Sequence, residues 1–338
     1  MINLGIIGCS SIVSRAIITP AKEVKGLRVY GIASRNPENA RRYAKEYGIE
    51  KAFESYEELL ECEAINCVYI ALPNDLHKEW IIKAIKARKH ILVEKPMCLS
   101  KAEFDEILSE LSEKDIKLLE GVMIKHHPWQ AAIKEMITSE KYGKLEIINT
   151  YACIVPKGNN VNSYRNFPER GGGAFYDLSC YWLQFLQEVV GLNPIYYEGN
   201  SSFNGPNGID STFSAKMRYE DQFETGFISS FELPYKVEQH IEFEKAKVVV
   251  KDFFRACLGN FKINVLIEEK ATGNKEKLQF DAANYYTNQL KFLVDVVEGR
   301  KESIPIHESY ERIKLMEDIY NSAKSSIKSY KGAEVYNG

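Results

Sequence analysis

Between residues 3 and 122, short apolar runs alternate with helical patterns, and no other feature of the chain restricts its fold as much. Runs at 3–7, 27–33, 66–72, 89–93 and 117–122 read as buried strands. Helical patterns separate them: one after the first run that Pro20 ends or kinks, then 37–47, 55–61, 76–86 and another from Ser100. Strands and helices in such short alternation make a doubly wound parallel sheet, an α/β fold. Right-handed crossovers bring Gly8, Ser34, Asn74 and Lys95 to one sheet edge. In open parallel sheets that carboxyl edge binds ligands.

The residues at this edge have chemistry of their own. Ile91-Leu92-Val93 runs straight into Glu94-Lys95-Pro96, and a proline stops a ladder. A carboxylate and an ammonium are therefore left where the strand ends. The first run ends at Gly8, where a dinucleotide fingerprint G-x-G-x-x-G would have its first glycine. The next two fingerprint positions are Ser10 and Val13, so only one glycine is kept, with a small hydroxyl able to donate to a phosphate. The second run ends in Ser34-Arg35-Asn36, without the acid that would hold a ribose 2′-hydroxyl. Serine and arginine suit a 2′-phosphate, so NADP is preferred and NAD is the alternative.

A chain of 338 residues suggests about two domains, here a dinucleotide-binding domain at 1–122 and a second at 123–338. From residue 144 the pattern turns to strands at 145–155, 195–203, 211–219, 224–232, 237–243, 247–253, 261–268 and 276–280. Several alternate apolar with polar, and Thr272-Gly273-Asn274 marks a hairpin. The second domain is thus α+β with a large, mostly antiparallel open sheet. Its Tyr and Phe residues favour a homodimer or homotetramer through that sheet, against a monomer with scattered surface aromatics. A net charge of -3 without a basic block excludes a general nucleic-acid binder. No apolar run reaches the ~20 residues of a membrane span. Seven scattered cysteines and an N-terminus without a signal pattern give a cytoplasmic expectation, and no zinc spacing is present. The polar tail after Ser325 is expected to be loosely held.

Gly5-Ile6-Ile7-Gly8-Cys9, Ala33-Ser34-Arg35, Pro73-Asn74 with His77, and Glu94-Lys95-Pro96 occur in an order that resembles one family. This is the glucose–fructose oxidoreductase / inositol dehydrogenase / rhizopine-catabolism (Gfo/Idh/MocA) family. The resemblance implies a Rossmann domain followed by an α/β domain with a large open sheet, and hydride transfer between a nicotinamide cofactor and a sugar or cyclitol. It also implies a cofactor site formed by Gly8, Ser10, Ser11, Ile12, Ser34, Arg35, Leu72, Pro73, Asn74, His77, Glu94 and Lys95, with Lys95 beside the reacting carbon. Met123 to Pro128 resembles the family's M-x-R-x-H-P, with Lys125 in place of arginine and His127 matching the histidine. The stretch from Tyr164 to Tyr181 resembles G-G-G-x-x-x-D-x-G-x-H, with Ser179 for a glycine and Tyr181 last. That ending is similar to the glucose–fructose oxidoreductase and dihydrodiol dehydrogenase branch, where tyrosine is the acid/base.

A carbonyl that receives hydride needs a proton as the alkoxide forms. Tyrosine, with a pKa of ~10, needs a nearby ammonium for that task. Lys95 and Tyr181 are accordingly the expected acid–base pair. Asp177, on the same helix face as Tyr181, would orient the substrate hydroxyl or the lysine. His127, Arg165 and Tyr286 are candidates for substrate binding. The expected activity is NAD(P)-dependent oxidoreduction of a sugar-like or cyclic alcohol or carbonyl. A C=N reductase and a catalytically silent cofactor sensor are the alternatives.

Overall fold

The computed structural model describes residues 1–112, 114–156 and 161–335, with side chains as far as residue 326. Of the tail after Ser325, the backbone is described to residue 335, within the last helix, and 336–338 lie outside the described residues. Contacts divide the chain into two units, Met1–His126 with Asn284–Ile313, and His127–Ala283 with the residues from Lys314 on.

The first unit is built on six strands: β1 (Ile2–Ile7), β2 (Leu27–Ala33), β3 (Lys51–Phe53), β4 (Cys67–Ile70), β5 (His90–Glu94) and β6 (Leu118–Gly121). They lie in the order 3-2-1-4-5-6, all parallel. This is the doubly wound dinucleotide-binding order, with its switch point between β1 and β4. The connections carry α1 (Thr19–Ala21), α2 (Pro37–Tyr47), α3 (Tyr56–Glu61), α4 (His77–Lys86) and α5 (Lys101–Leu111). Every residue of β4 is buried, as are Ile91, Leu92 and Val93, which is why these runs are apolar throughout. Side chains of Asn36, Ser55 and Ser100 cap α2, α3 and α5 by accepting a first-turn N–H. The helical run after β1 contains a π turn, Ser14–Ile18, directly before Pro20. Proline offers no N–H to the preceding turn, so the ladder widens there, and the run ends at Ala21.

The second unit contains all eight strands expected from the alternation: β7 (Leu145–Cys153), β8 (Tyr196–Asn200), β9 (Thr212–Arg218), β10 (Glu224–Ser230), β11 (Lys236–Phe243), β12 (Ala246–Lys251), β13 (Ile263–Glu269) and β14 (Lys275–Phe280). Their order is 14-13-12-11-7-10-9-8, antiparallel except for the β7–β10 pair. The helices α6 (Trp129–Thr138) and α7 (Ala174–Val189) lie here, together with the part of the last helix from Lys314 on. Along β11, Val237, Gln239, Ile241 and Phe243 are buried, while Lys236, Glu238, His240 and Glu242 alternate on the opposite face. Trp182 of α7 stacks on Phe227 at 4.7 Å, and Phe175 packs on Phe213 at 4.3 Å. Part of the aromatic content that suggested a partner sheet therefore fills this unit's own core.

The chain then returns to the first unit. In α8 (Tyr285–Val297), Leu290 and Leu293 are buried, and Asn288 donates to the His126 carbonyl at 3.0 Å. The helix α9 (Ile306–Val335) begins in this unit as well, through residue 313. Beside the expected division at 122/123, the contacts carry the first unit through His126 and add 284–313 to it. Order along the chain hid this, because a helix following an antiparallel sheet reads as part of that sheet's domain. Among the described residues, no helix is long and apolar enough to cross a membrane.

Candidate active site

At the carboxyl edge of the first sheet, Gly8 follows β1 with φ of +104°. A Cβ there would lie 2.6 Å from the Ala71 carbonyl oxygen, so only glycine lets β1 and the β4 end approach this closely. The Ser10 hydroxyl is buried and finds no partner among the described residues. A buried, unpaired hydroxyl at a strand–turn–helix junction suits a phosphate oxygen. Ser11 is exposed and Ile12 half-buried at the helix start. The Cys9 thiol lies against Ser34, and burial pushes it up from its ordinary value. Ser34 is buried, whereas the Arg35 side chain is exposed and its N–H donates to the Tyr56 hydroxyl at 3.0 Å. With no acid at this strand end, the residues present fit a nucleotide with a 2′-phosphate.

The β4 and β5 ends are tied by one side chain. His77 is fully buried, with Nδ1 at 2.7 Å from the Pro96 carbonyl and Nε2 at 2.9 Å from the Leu72 carbonyl. It thus holds the segment leading to Pro73 and Asn74 against the one carrying Lys95. Asn74 is itself buried. The Tyr69 hydroxyl donates a short bond to Glu94. Burial pushes the Glu94 carboxyl up, against the pull of Tyr69, Lys95 and Arg15. Tyr69 and Arg15 were missed by sequence reasoning: one sits in an otherwise apolar run, the other on an ordinary amphipathic turn. Lys125, which stands where the family pattern has arginine, pairs with Glu308 at 2.6 Å. Tyr286 is buried in this same unit, one residue into α8, and its N–H is capped by Asn284 at 3.0 Å.

The second unit presents a separate constellation. Arg165 donates to Asp177 through Nε at 2.9 Å and Nη2 at 3.4 Å, and its guanidinium lies 4.8 Å from the Tyr164 ring centre. Asp177 holds Arg165 firmly protonated, and Tyr181 adds to that field. Asp177, the residue expected to orient substrate or lysine, pairs with Arg165 and fixes that cation near Tyr181. Tyr181 is half-buried, edge-on to Phe254 at 4.6 Å.

These residues hang on α7, whose N-terminus is built unusually. Asp210 comes from the segment before β9, accepting the Phe175 N–H at 2.7 Å on its carboxylate and the Ala174 N–H at 2.9 Å on its carbonyl. Burial pushes Asp210 up to about 7. Gly173, at φ +101°, leaves room for that carboxylate.

His127 belongs to the second unit and is 4% exposed. Its Nδ1 accepts the Trp129 N–H at 3.3 Å, and Phe280 packs edge-on at 5.8 Å. Burial pushes the imidazole down from 6.5 to about 4, against a smaller pull from the Asp281 backbone. An imidazole that stays neutral when folded costs stability once the unfolded chain can protonate. Stability from this group is complete above pH 6.5 and is lost as pH falls toward 4, by up to ~3 kcal/mol. Urea unfolding at pH 7.5 and 4.5 should show this acid loss, and a His127→Asn variant should lose less. Equal losses in the two proteins would remove His127 from the account.

Comparison with known proteins follows the same two units. The profile described as "Oxidoreductase family, NAD-binding Rossmann fold" matches residues 2–122, and that of the GFO/IDH/MocA C-terminal domain matches 130–248. An uncharacterized oxidoreductase of Rhizobium meliloti is 31% identical over 257 residues, 75% of each chain. The D-xylose 1-dehydrogenase (NADP(+)) 2 of Haloferax volcanii is 26% identical over 326 residues, 95% of this chain and 97% of its own. A dTDP-3,4-didehydro-2,6-dideoxy-alpha-D-glucose 3-reductase of Actinomadura kijaniata is 34% identical over 240 residues, 66% of this chain and 71% of its own. A 3-ketoreductase from Actinomadura kijaniata, solved with NADP and TDP-benzene, superposes with a TM-score of 0.86 at 22% identity, covering 95% of this chain and 97% of its own. At that identity the likeness is one of fold.

Proposed function

Because the chain belongs to the Gfo/Idh/MocA oxidoreductase family, we propose that it passes hydride between NADP and a sugar-like alcohol or carbonyl, with Lys95 and Tyr181 as the acid–base pair. One observation carries this reading: a single sheet edge unites an unpartnered buried hydroxyl on Ser10, the Ser34–Arg35 end without an acid, and Lys95. When bound, the nicotinamide supplies or accepts the hydride. Ser10 and the N–H groups of its turn would hold the pyrophosphate, Ser34 and Arg35 the 2′-phosphate, and Asn74 and Glu94 the nicotinamide ribose. Lys95 stabilises the Tyr181 phenolate and the substrate oxygen, and Tyr181 delivers the proton to that oxygen or removes it. Arg165, fixed by Asp177, keeps a second positive charge near Tyr181. The NADP-linked xylose dehydrogenase and the sugar-nucleotide ketoreductases among the relatives support the substrate class. We further propose self-association as a homodimer or homotetramer through the open face of the second sheet.

The test is cofactor consumption by the purified chain. NADPH oxidation with keto-sugars, NADP reduction with D-xylose, and NADPH oxidation with cyclic imines separate the substrate classes. The expected result is sugar turnover with NADPH favoured over NADH, and a preference that falls in Arg35→Asp. Failure to bind NADPH at all rejects the proposal. Turnover of imines alone transfers it to C=N reduction, and binding without any turnover makes the chain a sensor.

A further inference from the structure

The strand β6 carries Glu120, a carboxylate that takes no part in the chemistry proposed above. Its side chain is 3% exposed, and each oxygen is engaged. One oxygen, Oε1, accepts the Met97 N–H at 3.0 Å. The other, Oε2, accepts the Ser309 hydroxyl at 2.8 Å and the Arg312 Nη2 at 2.6 Å, and that Nη2 also donates to Ser309 at 2.8 Å. The Arg312 side chain is 4% exposed, so the ion pair is buried. Met97 lies two residues after Lys95, and the Pro96 carbonyl between them is held by His77. Beside the cluster, Tyr310 packs edge-on against Phe104 of α5 at 5.4 Å, which seats the start of α9 on this unit.

A buried ion pair is weak evidence for stability, since desolvation offsets much of its attraction. What this one adds is direction. A carboxylate fixed by Arg312 and Ser309 can hold the Met97 N–H in only one place, and the Pro96–Met97 peptide just after Lys95 is thereby held at its carbonyl by His77 and at its N–H by Glu120. We propose that Glu120, Arg312 and Ser309 are positioning residues for Lys95: the first turns of α9 latch the lysine segment through the Glu120 carboxylate. The inference rests on the catalytic reading of Lys95 given above and adds the group that keeps it in register. A 1 Å misplacement is enough to lower a rate a hundredfold.

The test reads the position of Lys95 with and without turnover. In Glu120→Gln a single amide oxygen serves donors on both sides, so the NH₂ faces either Arg312 and Ser309 or the Met97 N–H, and the clamp opens in both cases. Expected results are Met97 amide exchange faster by about tenfold or more, labelling of Lys95 by trinitrobenzenesulfonate changed at least about fivefold by mass spectrometry, kcat lowered about tenfold or more, and the NADPH Kd within about threefold. Arg312→Lys keeps a cation and should sit closer to the parent than Arg312→Met on every readout. Ser309→Ala removes one hydrogen bond and serves if the charge variants do not fold; it should show the same changes at smaller size. Parental Lys95 labelling and kcat in folded variants overturn the proposal, including the case where only the unfolding midpoint drops. Should Lys95→Ala itself keep full turnover, the catalytic reading fails, while exchange and labelling still decide the latch.

Discussion

Lys95→Ala is expected to lower kcat by about 10²–10⁴-fold, the range for losing a positioned proton-transfer group, while NADPH binding stays within a few-fold. The side chain follows the last β5 residue, on a segment fixed by His77 at the Pro96 carbonyl and by Glu120 at the Met97 N–H. Its loss leaves that scaffold intact and removes the ammonium alone. In free-energy terms the change corresponds to about 3–5 kcal/mol of barrier. Lys95→Arg should rescue little, because a planar fork on a longer stem does not reproduce a compact ammonium. Steady-state NADPH oxidation, paired with a fluorescence titration of NADPH, separates the two effects. Turnover equal to that of the parent would falsify the assignment.

Gly173→Ala should destabilise the second unit by about 3 kcal/mol or more. The backbone there sits at φ +101°, a conformation that costs a side chain of order 1–3 kcal/mol. The added Cβ would also fall 2.0 Å from Asp210 Oδ1 and 2.8 Å from its Cγ. Asp210 must then move, and the Phe175 N–H it accepts at the start of α7 loses its partner. Because α7 carries Asp177 and Tyr181, surviving folded protein should also be slow. In Gly173→Ala/Asp210→Ala the clash is gone, so the two costs should add to less than their sum. Urea denaturation of the three variants measures this, and a Gly173→Ala midpoint matching the parent rejects the account.

Much of this was legible in the residues because periodicity reports burial. Leu27–Ala33 matches β2 to the residue, and the eight strands of the second sheet were each expected, several of them from alternation. The three-residue β3 was too short to carry a pattern. The parallel β7–β10 pair was hidden because strand direction depends on connections, not on composition. Site residues at strand ends were visible, since Gly8, Arg35 and Lys95 interrupt apolar runs. Supporting residues were not. Glu120 and Arg312 lie 192 positions apart, and only folding makes one a partner for the other. Asp210 reads as a loop acid until it is found closing the start of α7. His127, a candidate for substrate binding, is buried among neighbours that include Trp129, Phe280 and Asp281, contacts that follow from folding rather than from its place beside a proline.

The first unit is discontinuous, and that has a consequence for how the protein comes into being. The segment that supplies Ser309 and Arg312 is made long after Glu120, 189 and 192 positions further along the chain. While the nascent chain is still short of it, Glu120 lacks the arginine and the hydroxyl that its Oε2 accepts in the folded unit. Synthesis order and assembly order therefore differ: a strand made early waits for a helix that lies 192 positions further along the chain before its buried ion pair can close.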